Sequence, residues 1–137
     1  MAADNVTQPT GESVEEYLAR VEPAGRREDA AVLKQLMDDI TGEPPVMWGP
    51  TMVGYGRYPY RYASGRAVEW FRVGFAPRKA SISLYGLQYP GAKALLDRLG
   101  PHKRGVDCVW VGRFSGLDLA VLEQLVRGAW EQPAAGA

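Results

Sequence analysis

The sequence predicts a single α+β domain, a mainly antiparallel sheet of about five strands with helices packed on one face. Three observations carry this expectation. The 137 residues match one domain, since single domains cluster at ~100–150 residues. The hydrophobic period is helical before Gly42, alternating after Met47, and helical again near Tyr89 and Leu119. The strand candidates are joined by short turn signals, which suit hairpins and not parallel crossovers.

Residues 1–11 are small and polar without a period, and read as a disordered tail before a domain over 12–131. Ser13-Val14-Glu15-Glu16 is a capping box, with the Ser13 hydroxyl placed to accept the Glu16 amide. Val14, Tyr17, Leu18 and Val21 form one stripe of a first helix, which Pro23 and Gly25 end. Ala30, Leu33, Leu36, Met37 and Ile40 repeat the spacing in a second helix, stopped by Gly42 and Pro44-Pro45.

Met47 to Tyr55 reads as one strand interrupted at Gly49-Pro50. Arg57 to Tyr62 and Val68 to Phe75 read as a hairpin about Ser64-Gly65. In the second of these, Phe71, Val73 and Phe75 share one face and Trp70 and Arg72 the other. Pro77-Arg78-Lys79 then turns the chain into Ser81 to Leu87, with Ile82 and Leu84 opposite Tyr85. A third helix is expected from Tyr89 to Leu99, closed by Gly100-Pro101. His102 to Val106 reads as a basic loop, Cys108 to Val111 as the last strand, and Leu119 to Ala129 as the last helix. Residues 132–137 are expected to fray.

Composition excludes several classes. No run approaches the ~18 apolar residues of a membrane helix, and Met1 to Pro9 lack a secretory pattern. A cytoplasmic location without a membrane partner is therefore the expectation. One cysteine and one histidine exclude an internal disulfide and finger-type zinc sites. Sixteen acids balance sixteen bases, which disfavours nucleic acid as a partner. The charges are unevenly placed: residues 1–50 carry ten acids against four bases, and residues 51–137 carry six against twelve. Arginine outnumbers lysine twelve to four, which points to a GC-rich bacterial source.

Val53-Gly54-Tyr55-Gly56 lacks the third glycine and the following helix that a dinucleotide site requires. Cys108 and His102 suggest a thiol–imidazole pair, but Cys108 among Val106, Val109 and Val111 reads better as a small hydrophobe. No third partner with catalytic spacing accompanies them, so a non-enzymatic protein is expected. Asp38-Asp39 ends a helix where the dipole disfavours negative charge, which suits weak binding of a hard cation such as ferrous iron, with Glu12, Glu15, Glu28 or Asp29 adjoining. Arg78, Lys79, His102, Lys103 and Arg104 suggest an anion site. Trp70, Arg72, Tyr85, Trp110 and a set from Tyr58, Tyr60 and Tyr62 suggest an aromatic sheet face. Such a face suits stacking, a cleft or a homodimer interface.

Several segments together resemble the bacterial YdhG-like family of domains of unknown function. They are Met47-Trp48-Gly49-Pro50, Val53 to Gly56, Tyr60 to Arg66, Gly74-Phe75-Ala76-Pro77-Arg78-Lys79, Leu99 to Gly105 before Cys108, and Asp118 to Leu125. The resemblance spans about residues 12–130. It implies a frataxin-like α+β fold. It also implies an intracellular iron chaperone that hands ferrous iron to iron–sulfur or haem assembly proteins. By the same resemblance Trp48, Arg78, Lys79, Tyr85 and His102 form a ligand pocket. Where the family carries a polar or basic pair before the cysteine this chain has Val106-Asp107, and Trp110 stands in place of a tyrosine.

Overall fold

The computed structural model describes residues 9–61 and 67–132. Helix α1 (Val14–Ala19) begins as expected, with the Ser13 hydroxyl accepting the Glu16 amide at 3.1 Å. Helix α2 (Ala24–Thr41) starts earlier than the periodicity suggests. Pro23 occupies its N-cap, where a fixed φ and a missing amide cost nothing, and Gly25 is a first-turn residue instead of a terminator. Gly42 ends the helix in the left-handed region at φ 66, where a residue without Cβ is unstrained.

The expected Met47–Tyr55 strand is two strands, β1 (Val46–Trp48) and β2 (Met52–Tyr55), paired antiparallel. Gly49 at φ 66 and Pro50 turn the chain between them. Strands β3 (Tyr58–Arg61) and β4 (Ala67–Trp70) pair as the expected hairpin, but as a separate two-stranded sheet. The Ser64-Gly65 turn lies outside the described residues. The chain breaks at Phe71-Arg72 before β5 (Val73–Pro77), so the expected Val68–Phe75 strand is divided. Then come β6 (Ile82–Tyr85), the short α3 (Lys93–Leu96), β7 (His102–Arg104), β8 (Cys108–Val111), a 3-10 turn over Phe114–Gly116 and α4 (Leu119–Glu131). The expected basic loop is thus the edge strand β7, and α3 occupies only the middle of the expected third helix.

The main sheet has six strands in the order β1-β2-β5-β6-β8-β7, every pair antiparallel. Among the described residues the result is one small α+β domain of four helices and eight strands, six of them in the main sheet, where about five strands were expected. No helix among the described residues is long and apolar enough to cross a membrane. Met47, Val53, Tyr55, Val73, Phe75, Leu84, Val109 and Val111 point to the helices and join Leu33, Met37, Leu122, Leu125 and Val126 in one core. The Asp118 carboxylate caps α4 by accepting the Ala120 and Val121 amides. At the β1 edge the Thr10 amide donates to the Met47 carbonyl at 2.9 Å and Pro9 bridges Trp48, so the expected tail joins the sheet from Pro9 onward.

The opposite sheet face is also covered. The register aligns Gly54 with Gly74 and Gly74 with Tyr85. Phe71 lies over this glycine floor: a Cβ on Gly74 would meet its ring at 2.8 Å, and one on Gly54 would meet its Cβ at 2.7 Å. Phe71 therefore turns away from Val73 and Phe75, contrary to simple alternation. Arg72 turns to the helix side, where its guanidinium sits 5.0 Å from the Trp130 ring centroid and donates to the Gln132 carbonyl.

Candidate functional site

The five residues of the expected pocket occupy three places. Trp48 and Tyr85 lie on the outer face, linked through Phe71 at ring-centroid distances of 5.6 and 5.8 Å. Trp70 stacks on Phe71 at 4.5 Å, completing an aromatic group in which Trp48 is 1% exposed. These rings satisfy one another and leave no open stacking platform around Trp48. Trp110 stays 36% exposed on the same face of the sheet.

His102 lies on β7, level with Pro77 through the pairs Pro77–Ile82, Ile82–Val111 and Val111–His102. Three strand spacings, about 14 Å, separate the two backbones. Its Nδ1 is 2.7 Å from the Gly100 carbonyl and its Nε2 accepts from Arg104 Nε at 2.9 Å, which fits the tautomer with the proton on Nδ1. Arg104 also binds Asp97 at 2.6 Å. Hydrogen bonds from Arg104 and then Lys93 hold the Asp97 carboxyl below its ordinary range. A shallow recess of about 230 Å³ adjoins this group, lined by Gln88, Tyr89, Ala92, Lys93, Leu96 and Arg104. Its two cations both pair with Asp97.

Arg78 and Lys79 are exposed in the β5–β6 turn, which the Arg78 amide closes onto the Ser81 carbonyl at 2.8 Å. The turn sits at the end of the sheet bounded by the junction of α1 and α2. On one side, Tyr17 of α1 donates to the Thr51 carbonyl of the β1–β2 turn at 2.9 Å. Burial raises the Tyr17 hydroxyl, opposed by the charges of Arg78 and Arg20. On the other side, Arg26 of the first turn of α2 reaches the Lys79 carbonyl at 3.5 Å. Among the described residues neither Arg78, Lys79 nor Arg26 meets a carboxylate, whereas Arg27, Arg57, Arg104, Arg113 and Arg127 each do. Three cations thus gather at one end of the sheet without counter-charge from those residues.

Arg26 was not singled out by the sequence expectations, yet a signal for it exists. Arg26, Ala30, Leu33 and Met37 stand at i, i+4, i+7 and i+11, so a base occupies the buried stripe of α2. The truncated helix expectation, beginning near Ala30, hid it.

Asp38 and Asp39 lie at the far end of α2, about 18 Å from Arg26 along the axis at 1.5 Å per residue. Asp38 is engaged by Lys34 Nζ at 2.7 Å and by the Tyr55 hydroxyl at 2.7 Å, and Asp39 accepts from Gln35 at 2.9 Å. Glu28 and Asp29, named as adjoining acids, are instead near the start of the helix with Arg113. Among the described residues no group of three or more His, Cys, Asp or Glu side chains converges as a metal would require. Cys108 is half-buried on β8, and burial followed by the Asp107 charge raises its thiol pKa, opposed by Arg78.

The geometry defines a small α+β domain with a basic end that meets no carboxylate among the described residues. Comparisons with family models, curated proteins and solved structures return no match, so its functional reading rests on these residues.

Proposed function

We propose that the domain is a non-enzymatic binding module that recognises an anionic group at the Arg78-Lys79 turn. The observation behind this reading is that Arg26 of α2 bonds the backbone of the turn that carries Arg78 and Lys79, which puts three cations at one end of the sheet with no carboxylate on them among the described residues. Arginine supplies a planar fork for an oxyanion and lysine a mobile point charge. A binding role also suits His102, whose two ring nitrogens are both engaged, and Cys108, whose thiol is held protonated by burial. The competing reading is a frataxin-like iron chaperone, with ferrous iron as cargo on Asp38 and Asp39 and iron–sulfur or haem assembly proteins as recipients. It has less behind it, because Asp38 is engaged by Lys34 and Tyr55.

Thermal unfolding in a series of anions at constant ionic strength tests the first reading. Phosphate or carboxylates should raise Tm, and Arg78→Ala with Lys79→Ala should remove the rise. Absence of any response in the native protein would end the proposal. An anaerobic calorimetric titration with ferrous iron should give a flat trace. Saturable binding lost in Asp38→Asn with Asp39→Asn would favour the chaperone instead.

A further inference from the structure

We infer that Arg26 is the buried anchor of this site and, with the N-terminal turn of α2, receives a phosphoryl group. The inference rests on the anion-binding reading above and assigns its ligand class and its central residue.

Arg26 is 7% exposed. Among the described residues its Nε and Nη1, both buried, have no hydrogen-bond partner, and its Nη2 makes one long bond to the Lys79 carbonyl at 3.5 Å. A guanidinium carries five donors and cannot lose its charge at any ordinary pH. Burying it with most donors unmet is strongly unfavourable for the free protein. Such groups persist where a ligand supplies the missing acceptor, as local rules are broken most often at functional sites.

The surroundings of this guanidinium are those of an oxyanion receptor. Arg26 is the third residue of α2, and long helical side chains lean toward the N-terminus. Its reach to Lys79 places the guanidinium between the first turn of α2 and the β5–β6 turn. Pro23 at the N-cap offers no side-chain acceptor and the first turn carries no acid. The amides of Ala24, Gly25 and Arg26 precede the first in-turn bond, which Arg27 makes to the Pro23 carbonyl at 3.0 Å. The positive end of an 18-residue helix thus belongs to the same turn as the buried guanidinium. Arg113 packs against Gly25, whose Cβ position would lie 2.2 Å from its Nη1. Its charge is already taken by Asp29 at 2.8 Å and Glu28 at 3.7 Å, so Arg26 is the cation left to bind.

The number of donors selects the ligand class. A carboxylate presents two oxygens in a plane. Helix amides, the guanidinium and the exposed Lys79 of the adjoining turn offer more donors than the two oxygens of a carboxylate use, which suits the three oxygens of a terminal phosphoryl group. Inorganic phosphate and phosphate monoesters share that chemistry.

The test uses inorganic phosphate as the probe, with acetate and succinate at matched ionic strength, on the full chain and on Arg26→Met. Methionine replaces the buried charge by an apolar chain of similar length. A ligand anchor predicts opposite signs: Arg26→Met raises Tm without phosphate, and lowers phosphate affinity about tenfold or more, roughly 1.4 kcal/mol per tenfold. A structural arginine predicts a lower Tm with phosphate affinity unchanged, and that result would overturn the inference. Amide chemical shifts of the native protein give a second measurement should the variant fail to fold. Saturable phosphate-dependent shifts at Ala24, Gly25 and Arg26 support the site, and their absence refutes it. If phosphate binding is lost in Arg78→Ala with Lys79→Ala but kept in Arg26→Met, the turn remains a site and Arg26 is not its anchor. If no anion binds, both readings fall together.

Discussion

Asp29 and Arg113 stand 84 positions apart in sequence and 2.8 Å apart in space. The same Asp29 oxygen accepts the Phe114 amide at 3.0 Å, with the carboxylate only 8% exposed. This contact fastens the start of α2 to the chain leaving β8, and so fixes the wall behind Arg26.

The two partners should differ in cost when removed. Asp29→Ala strands a buried amide and a guanidinium, and should lower stability by about 3 kcal/mol. Arg113→Ala should cost about 1 kcal/mol, because the guanidinium is 53% exposed and Phe114 still satisfies the carboxylate. Urea unfolding of the two variants measures the difference. Equal losses would mean that the Phe114 amide contributes nothing.

Phe71 is the plug of the outer face. Phe71→Ala should cost about 3–4 kcal/mol by opening a cavity over Gly54 and Gly74. Gly74→Ala should also destabilise, by about 1–3 kcal/mol, because its Cβ would lie 2.4 Å from the Val53 carbonyl oxygen. Both should weaken the near-ultraviolet circular dichroism of Trp48 and Trp70. A Gly74→Ala protein as stable as the native one would contradict the packing described.

The Tyr55 hydroxyl donates its one proton to Asp38 at 2.7 Å, with the Lys34 carbonyl 3.2 Å from the same oxygen. Burial first, then the bond to Asp38 and its charge, raise its pKa far above the ordinary phenol value of 10.0. The folded state therefore holds this proton more tightly than the unfolded chain. Its contribution is complete below about pH 10 and declines as pH rises beyond that value. Tyr55→Phe should lose about 1–2 kcal/mol at pH 8 and show a shallower decline from pH 10 to 11.5. Denaturation midpoints across that range report both effects. An equally steep alkaline decline would assign it to other groups, Tyr17 and Tyr89 first, whose values burial also raises.

Cys108 should alkylate slowly at pH 7.5 in the folded protein, with a rate midpoint above the ordinary thiol value of about 8.5. Burial and Asp107 both act in that direction. Asp107→Asn should lower the midpoint slightly and Arg78→Ala should raise it. Iodoacetamide kinetics against pH measure all three proteins. A midpoint near 7 would revive a thiolate role for the residue.

The sheet was legible where one face meets the core in plain alternation. Ile82 and Leu84 opposite Tyr85 read correctly because nothing interrupts their period, whereas Cys108, read as one hydrophobe among Val106, Val109 and Val111, is half-buried and Val106 is exposed. Phe71 was not legible as an outer residue. Its orientation depends on the floor made by Gly54 and Gly74, two glycines of different strands whose alignment exists only in the fold. The division at Gly49-Pro50 was visible as a break, but a bulge and a tight hairpin share that composition. Of the candidate site, Arg78 and Lys79 were legible as a basic turn. Their neighbour Arg26 comes from 53 positions away, beyond any local pattern. Asp38 likewise reads as a free carboxylate until Tyr55 is brought across from β2.

Both margins of the main sheet are obstructed. Pro9 and Thr10 occupy the backbone of β1, and β7 is three residues long with Lys103 and Arg104 exposed on it. A strand from another molecule would have to displace a proline-bearing segment at one margin, or pair with a short charged ribbon at the other. Each margin of the six-stranded sheet is therefore a poor template for a strand from another molecule.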